Sequence, residues 1–180
     1  MSKQSGSPRS DANIPASAGL AHDGWSSEDQ ATATCYCGQV QLIVPLKSPG
    51  LVFTFACHCT DCRKITASMF ATNFTTLESH THFARGQDNL TIFSQKETTT
   101  SGGSMTNGFC KTCGTLMYRA GSSFPGQYFL RVGTVDDMRL HETVLKPGVE
   151  AYTDDRVEWL GCIEGARQLE KQMKGQKPGL

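Results

Sequence analysis

Three tight cysteine groups constrain this chain more than any other feature of its sequence. The 180-residue chain has eight cysteines, and seven of them follow the spacings C-x-C, C-x-C-x-x-C and C-x-x-C. The three groups are Cys35 and Cys37; Cys57, Cys59 and Cys62; and Cys110 and Cys113. The N-terminus lacks the apolar stretch of a secretory signal, so we expect no disulfide framework. The clustering instead favours metal binding or thiol redox chemistry.

The first and third groups together predict a structural zinc site. In an extended segment residues i and i+2 point the same way, so Cys35 and Cys37 present two sulfurs together. Cys110 and Cys113 enclose a short knuckle that ends at Gly114. Four thiolates in a tetrahedral shell form a closed zinc site that stabilises a fold. The alternative is that Cys110 and Cys113 are a redox pair and that the C-x-C group is incidental.

The middle group predicts a second zinc site of a different kind. Cys57, Cys59 and Cys62 supply three thiolates, and three protein ligands with one open position are typical of a catalytic zinc. Three thiolates and one Zn²⁺ carry a net charge of about −1. Arg63 and Lys64 follow directly, and we predict that they offset this charge and bind an anionic substrate such as a carboxylate-bearing thiol. The alternative for both cations is ordinary solvated surface.

Two further residues, His58 and Cys162, are candidates for a role beside these groups. His58 lies between two of the predicted ligands, and an extended backbone would turn its side chain to the opposite face. It is a candidate for a fourth ligand, a general base or a packed ring. Cys162 stands alone in the sequence, and we expect it to be a buried free thiol.

Short strand-like segments separated by glycine-rich and polar connectors predict an all-β domain. Such segments are rich in β-branched and aromatic residues. The sequence lacks the alternation of strands with long helices that is typical of a Rossmann-like sheet. The predicted strands are Gln39–Val44, Leu51–Ala56, Met69–Phe74, Leu90–Phe93, Gly114–Tyr118 and Tyr128–Gly133.

The two ends of the chain differ from its middle in amino-acid composition and in the spacing of apolar residues. Residues 1–30 are rich in Ser, Ala, Gly, Asp and Gln, which predicts a disordered tail. Residues 31–162 form the predicted zinc-binding domain. In residues 163–180, the spacing of Ile163, Ala166, Leu169 and Met173 predicts a short amphipathic C-terminal helix.

Charge and hydropathy exclude some classes of partner. Lys and Arg together number 17, as do Asp and Glu, so the chain lacks the basic field that non-specific binding to nucleic acid or anionic membranes needs. No apolar run is long enough to span a bilayer. We therefore expect a cytoplasmic protein that binds neither nucleic acid nor membrane; its oligomeric state stays open.

The order and spacing of the cysteine groups resemble the glutathione-dependent formaldehyde-activating enzyme family, which includes the centromere protein V group. The matching segments are Cys35-Tyr36-Cys37-Gly38, Cys57-His58-Cys59-Thr60-Asp61-Cys62-Arg63-Lys64 and Phe109-Cys110-Lys111-Thr112-Cys113-Gly114. Weaker agreement continues through residues 70–73 and 131–137, so the resemblance covers roughly residues 32–160. Three cysteine groups in fixed order are a far more specific signal than one C-x-x-C pair.

The resemblance implies a β-tent of antiparallel sheets built around two zinc ions per chain. Cys35, Cys37, Cys110 and Cys113 would bind a structural zinc, and Cys57, Cys59 and Cys62 would bind a catalytic zinc. The implied activity is a carbon–sulfur lyase, with glutathione as a possible co-substrate that adds to formaldehyde or to a larger electrophile. Two alternatives stay open: a non-enzymatic β-tent module that binds protein partners, and a thiol redox or zinc-sensing protein.

Overall fold

Strands dominate this computed structural model, which describes residues 19–171. That range contains two short helices, α1 (Thr60–Thr66) and α2 (Arg139–Glu142), and eleven strands. The strands are β1 (Gln30–Thr34), β2 (Gln41–Pro45), β3 (Leu51–Cys57), β4 (Ala71–Leu77), β5 (His82–Arg85), β6 (Leu90–Gln95), β7 (Met105–Cys110), β8 (Leu116–Gly121), β9 (Gln127–Arg131), β10 (Val149–Ala151) and β11 (Arg167–Leu169). The predicted all-β class is confirmed.

The strands form two sheets that differ in size. The smaller sheet has three antiparallel strands in the order β1-β2-β5, and the larger has eight in the order β11-β10-β3-β4-β9-β8-β7-β6. Neighbouring strands are antiparallel, as predicted, except that β10 runs parallel to both β3 and β11. The middle cysteine group begins at the last residue of β3, so it lies at the C-terminal end of an inner strand of the larger sheet.

One face of the larger sheet packs on the smaller sheet and forms the main core. Phe74 of β4 and Leu130 of β9 are fully buried and lie opposite each other in register. They share one apolar cluster with Val40, Leu42 and Val44. Successive side chains of a strand point to opposite faces, so the neighbours of Phe74 and Leu130 point away from this core.

The opposite face of the larger sheet mixes apolar and polar side chains. Phe55 of β3 pairs with Asn73 of β4, and Asn73 pairs with Arg131 of β9. The buried apolar cluster on this face comprises Phe55, Cys57, Cys62, Ala71 and Phe129. Two cysteines of the middle group therefore belong to this second face and are separate from the main core.

The six strands predicted from the sequence are confirmed, with ends that shift by a few residues. They correspond to β2, β3, β4, β6, β8 and β9. The sequence pattern missed β1, β5, β7, β10 and β11, as well as helix α1. These strands are short or carry small and polar residues, and they form because a neighbouring strand offers backbone hydrogen-bond partners.

The predicted C-terminal helix is wrong for the described residues. Gly165 has a left-handed φ of +80°, which interrupts a right-handed helix, and β11 follows it. Arg167 and Leu169 pair in parallel with β10. The open edge of β10 offers backbone hydrogen bonds, which outweigh the weak tendency of a short isolated segment to form a helix. Residues beyond 171, including Met173, lie outside the described part.

Part of the predicted N-terminal tail packs on the domain. Residues 1–18 lie outside the described range, but Ser26 is fully buried and donates a hydrogen bond to Asp137 over 2.6 Å. Leu20 donates its backbone N–H to Tyr36. The domain limits at residues 31 and 162 stay predictions.

Within residues 19–171, no helix is both long and apolar enough to cross a membrane.

Candidate metal centres and active-site cavity

Two loops from distant parts of the chain bring four cysteines together. Cys35 and Cys37 lie in the turn after β1, whereas Cys110 ends β7 and Cys113 lies in the turn that follows. All four sulfurs lie within 4.8 Å of one another, and Cys37 Sγ is 3.6 Å from both Cys35 Sγ and Cys110 Sγ. Zn–S bonds of about 2.3 Å in a tetrahedron separate sulfurs by about 3.8 Å, so this group fits zinc.

Backbone and hydroxyl groups support the four sulfurs. Each turn ends in a glycine with a left-handed φ, +80° at Gly38 and +77° at Gly114, a conformation that other residues rarely adopt. The backbone N–H of Val40 donates to Cys35 Sγ over 3.2 Å. Although burial opposes ionisation of Cys113, hydrogen bonds from the hydroxyl and N–H of Thr115 lower its pKa to about 6. The Cys113 thiol therefore ionises readily as a metal ligand.

The middle group is built where β3 passes into α1. Cys57 is the last residue of β3, Cys59 precedes α1, and Cys62 lies in its first turn. The backbone N–H of Cys62 donates to Cys59 Sγ over 3.4 Å. The three sulfurs lie within 4.8 Å of one another, so a local strand-to-helix turn is enough to assemble them. The soft thiolate donor set and this spacing fit zinc.

Contacts among the three thiols move their pKa values apart. Cys57 and Cys59 donate hydrogen bonds to Cys62, which holds the Cys62 pKa well below its ordinary value, and the nearby guanidinium groups of Arg131 and Arg119 add to this effect. Hydrogen bonding with the other two sulfurs, together with burial, raises the pKa of Cys57. Three adjacent thiolates repel one another, so all three ionise together only with a cation between them.

A cavity of about 660 Å³ distinguishes the middle group from the four-cysteine group. Cys57, Cys59 and Cys62 line this cavity. The four other clustered cysteines are not among the described residues that line it. The middle group is thus open to a small molecule in this cavity, whereas the four-cysteine group lies apart from it.

Two buried arginines face the middle group from the floor of the cavity. Arg119 donates from Nη1 to Cys62 Sγ over 3.5 Å and from Nε to Asn107 over 2.8 Å. Arg131 is 7% exposed and donates from Nη1 to Asn73. Its Nε and Nη2 have no hydrogen-bond partner within residues 19–171. Burial lowers the Arg131 pKa to about 10, so the group stays charged at neutral pH.

The two cations predicted to bind an anion lie elsewhere. Arg63 donates to the backbone oxygen of Asp155 over 3.3 Å, and Lys64 is exposed. Neither is among the described residues that line the cavity. Both belong to α1, and Arg63 contacts Asp155, which does line the cavity, so their role in binding an anion stays a prediction.

His58 is a packed ring held by a buried carboxylate. It is fully buried, and its Nε2 lies 2.7 Å from Glu150 Oε1. The other carboxylate oxygen of Glu150 accepts hydrogen bonds from the N–H of Ile163 and the amide of Gln168 and lies 3.2 Å from Arg156. Glu150 therefore ties the loop of the middle cysteines to the C-terminal segment that includes β11.

Sequence reasoning missed Arg119, Arg131 and Glu150, and it misplaced Cys162. Each of the two arginines stands within a strand among apolar neighbours, and a charged residue in such a run is a usable signal for a buried polar site. Glu150 carries no comparable signal. Cys162 is exposed, which corrects the prediction of a buried thiol, because it lies in an irregular segment at the surface.

The comparisons with known proteins agree with the cysteine geometry. A family model described as "Glutathione-dependent formaldehyde-activating enzyme" matches residues 30–155. The chain belongs to this family. The match spans all three cysteine groups, so the resemblance inferred from their spacing is confirmed, and the family's name connects the chain with glutathione-dependent activation of formaldehyde.

Two other comparisons add little to this assignment. A search of curated proteins found no match. Among solved structures, a crystal structure of a Rhodobacter sphaeroides protein is 27% identical in sequence. The match covers 57% of this chain and 85% of the other, with a TM-score of 0.42.

Metal analysis tests both cysteine groups. We expect protein purified without chelator to contain two zinc ions per chain, because each group fits one ion. Cys59→Ser should lower the content to one, and Cys37→Ser should remove the other ion and lower the free energy of unfolding by several kcal/mol. Cys162→Ser, which changes the exposed cysteine, is the control and should retain two. Elemental analysis that finds no zinc in the folded protein would contradict this assignment.

The buried carboxylate predicts a pH-dependent stability. Burial opposes ionisation of Glu150, but hydrogen bonds from Ile163, Gln168, His58 and Arg156 outweigh it and lower the Glu150 pKa from 4.5 to about 2. The carboxylate then contributes stability above pH 4.5, and this contribution disappears as the pH falls through about 2.

Urea unfolding of Glu150→Gln measures this contribution. We expect the variant to lose about 2–4 kcal/mol at neutral pH, and its difference from wild type to shrink between about pH 4.5 and 3. Glu164→Gln changes an exposed carboxylate and should match wild type throughout. A difference between Glu150→Gln and wild type that stays constant with pH would refute the role of the charge.

Proposed function

We propose that the chain is a zinc-dependent carbon–sulfur lyase that acts on an adduct of glutathione, or of another thiol, with formaldehyde or a larger electrophile. The supporting observation is that Cys57, Cys59 and Cys62 line a cavity of small-molecule size, whereas the four other clustered cysteines are not among the described residues that line it. Cavities of a few hundred Å³ are typical of sites for small ligands. Family membership supports glutathione and formaldehyde as the reactants.

The charges around the middle group favour an anionic sulfur or carboxylate. Three thiolates with one Zn²⁺ carry a net charge of about −1. The guanidinium groups of Arg119 and Arg131 lie against this group, and together they reverse its sign to about +1. An incoming thiolate would neutralise the remaining charge. These two arginines therefore take the role that was first assigned to Arg63 and Lys64.

The chemistry asked of the site is an addition and its reversal. As the adduct forms, the thiol sulfur bonds to the carbonyl carbon, the carbon–oxygen π bond breaks, and the thiol proton ends on the oxygen. A zinc ion bound by the three cysteines supplies a Lewis acid with an open coordination position. The free N–H groups of Arg131 can donate to the oxygen as negative charge develops on it.

The thiols also bear on where the protein acts. All eight cysteines are free in the structure, and zinc-binding thiols are stable in compartments that keep cysteine reduced. We therefore keep the cytoplasm as the proposed location.

A single substitution in the middle group tests the proposal. Carbon–sulfur exchange between glutathione and its formaldehyde adduct can be followed by exchange NMR with and without the protein. We expect Cys59→Ser to lose at least about 100-fold of the rate enhancement, because it removes a zinc-binding thiolate. The four-cysteine site should keep its zinc and the melting temperature should change little.

Cys162→Ser is the matched control and should retain wild-type exchange. Full activity of Cys59→Ser would show that the middle group is not catalytic. No acceleration by the wild-type protein, with the glutathione adduct of either formaldehyde or benzaldehyde, would refute the lyase and favour the module that binds protein partners.

Paired arginine variants test which cation binds the substrate. We expect Arg131→Met to lower kcat/KM about 10- to 100-fold, because hydrogen bonds to a charged group are lost. Arg63→Met should stay within about twofold of wild type, since Arg63 is not among the described residues that line the cavity. The same exchange assay measures both variants, with melting temperatures as a check of folding. The reverse order of effects would restore Arg63 as the substrate-binding cation.

A further inference from the structure

One wall of the cavity is aromatic. Four phenylalanines line it, and each ring contacts the next. The ring centroids are 5.3 Å apart for Phe53 and Phe55, 6.2 Å for Phe55 and Phe129, and 5.3 Å for Phe129 and Phe124. The last two pairs meet edge to face, at 89° and 87°. Together these rings form a continuous apolar surface, here named the phenylalanine wall.

The phenylalanine wall begins directly beside the reactive cysteines. Phe53, Phe55 and Cys57 are alternate residues of β3, so they share one face of the sheet at steps of about 6.6 Å. On β9, Phe129 and Arg131 are related in the same way. A molecule with its reacting carbon at Cys57 and Arg131 therefore has apolar rings within one or two steps along both strands.

A formaldehyde adduct leaves this wall without a partner. Its carbon carries only hydrogen atoms and a hydroxyl group, so it has no apolar surface to bury there. Glutathione itself is charged and rich in amide groups, and benzene rings offer it no hydrogen bonds. Polar side chains able to hydrogen-bond glutathione also line the cavity, among them Thr98, Thr99, Thr100, Ser101, Arg167 and Lys171.

We propose that the substrate is a thiol adduct in which the carbon bound to sulfur carries a bulky apolar group, and that this group lies against the phenylalanine wall. The inference rests on the proposed function for the position of the sulfur. It deepens that function by naming the class of electrophile: an apolar carbonyl compound with an aryl or long alkyl substituent in place of the hydrogen atoms of formaldehyde.

Binding of two stable thioethers tests the substrate class without requiring turnover. S-benzylglutathione and S-methylglutathione differ only in the apolar group on sulfur, so titration calorimetry of each against the zinc-loaded protein isolates the contribution of that group. We expect the benzyl compound to bind about 10- to 100-fold more tightly, as burial of one ring against apolar surface predicts. Equal dissociation constants would overturn the inference.

Variants of the wall locate the contact. Phe53 and Phe124 are half-buried, so Phe53→Ala and Phe124→Ala disturb the fold less than changes at the buried Phe55 and Phe129. Each should reduce the benzyl-over-methyl preference about 3- to 10-fold. Phe93→Ala is the control, because Phe93 is 52% exposed on β6 and is not among the lining residues. Leucine variants at the same positions, which keep apolar volume, should recover part of the preference if an alanine variant is unstable.

The outcomes separate this inference from the proposed function. Rapid exchange of the formaldehyde adduct with no preference for the benzyl compound would overturn the substrate class and leave the lyase intact. A strong benzyl preference that Phe53→Ala and Phe124→Ala reduce, without exchange of the glutathione adduct of either formaldehyde or benzaldehyde, would support the apolar site and refute the lyase. A benzyl preference unchanged in both variants would place the ring elsewhere and overturn the inference.

Discussion

The convergence of four thiols holds together parts of the chain that are far apart in sequence. Cys37 and Cys110 are 73 positions apart, yet their sulfurs lie 3.6 Å from each other. The contact connects the turn after β1, in the smaller sheet, to the end of β7, in the larger. The two sheets are thereby kept face to face over the core around Phe74 and Leu130. One face of the larger sheet is occupied in this way, and the other is left for the cavity.

Access to the cavity, rather than ligand type, separates the two cysteine groups. Both supply thiolates at spacings that suit zinc, but Cys57, Cys59 and Cys62 open onto the cavity. Arg119 and Arg131 reach the same sulfurs from neighbouring strands, and their charge suits an anionic ligand. Glu150 holds His58 from behind, so the loop that carries the cysteines is fixed by the C-terminal segment. The metal-binding sulfurs, the positive charges beside them and the carboxylate that supports their loop thus come from three separate parts of the chain.

The errors of the sequence analysis share one cause. The helix expected after residue 162 has the right spacing of apolar residues, but β11 forms there because the edge of β10 is available for pairing. Arg63 is adjacent to a ligand in the chain, but it bonds to Asp155 and is not among the described residues that line the cavity. In both cases a local pattern was outweighed by a contact with a distant residue, which no single segment of sequence contains.

The sequence by itself determined the features that depend on short-range geometry. The cysteine spacings identify the family and two groups of possible zinc ligands, and short segments rich in β-branched and aromatic residues predict six of the strands. Only the tertiary structure decided that Arg119 and Arg131 face the middle group and that Phe53, Phe55, Phe124 and Phe129 form one wall. These side chains lie on four different segments, and strand register, which long-range backbone pairing sets, brings them to a common face.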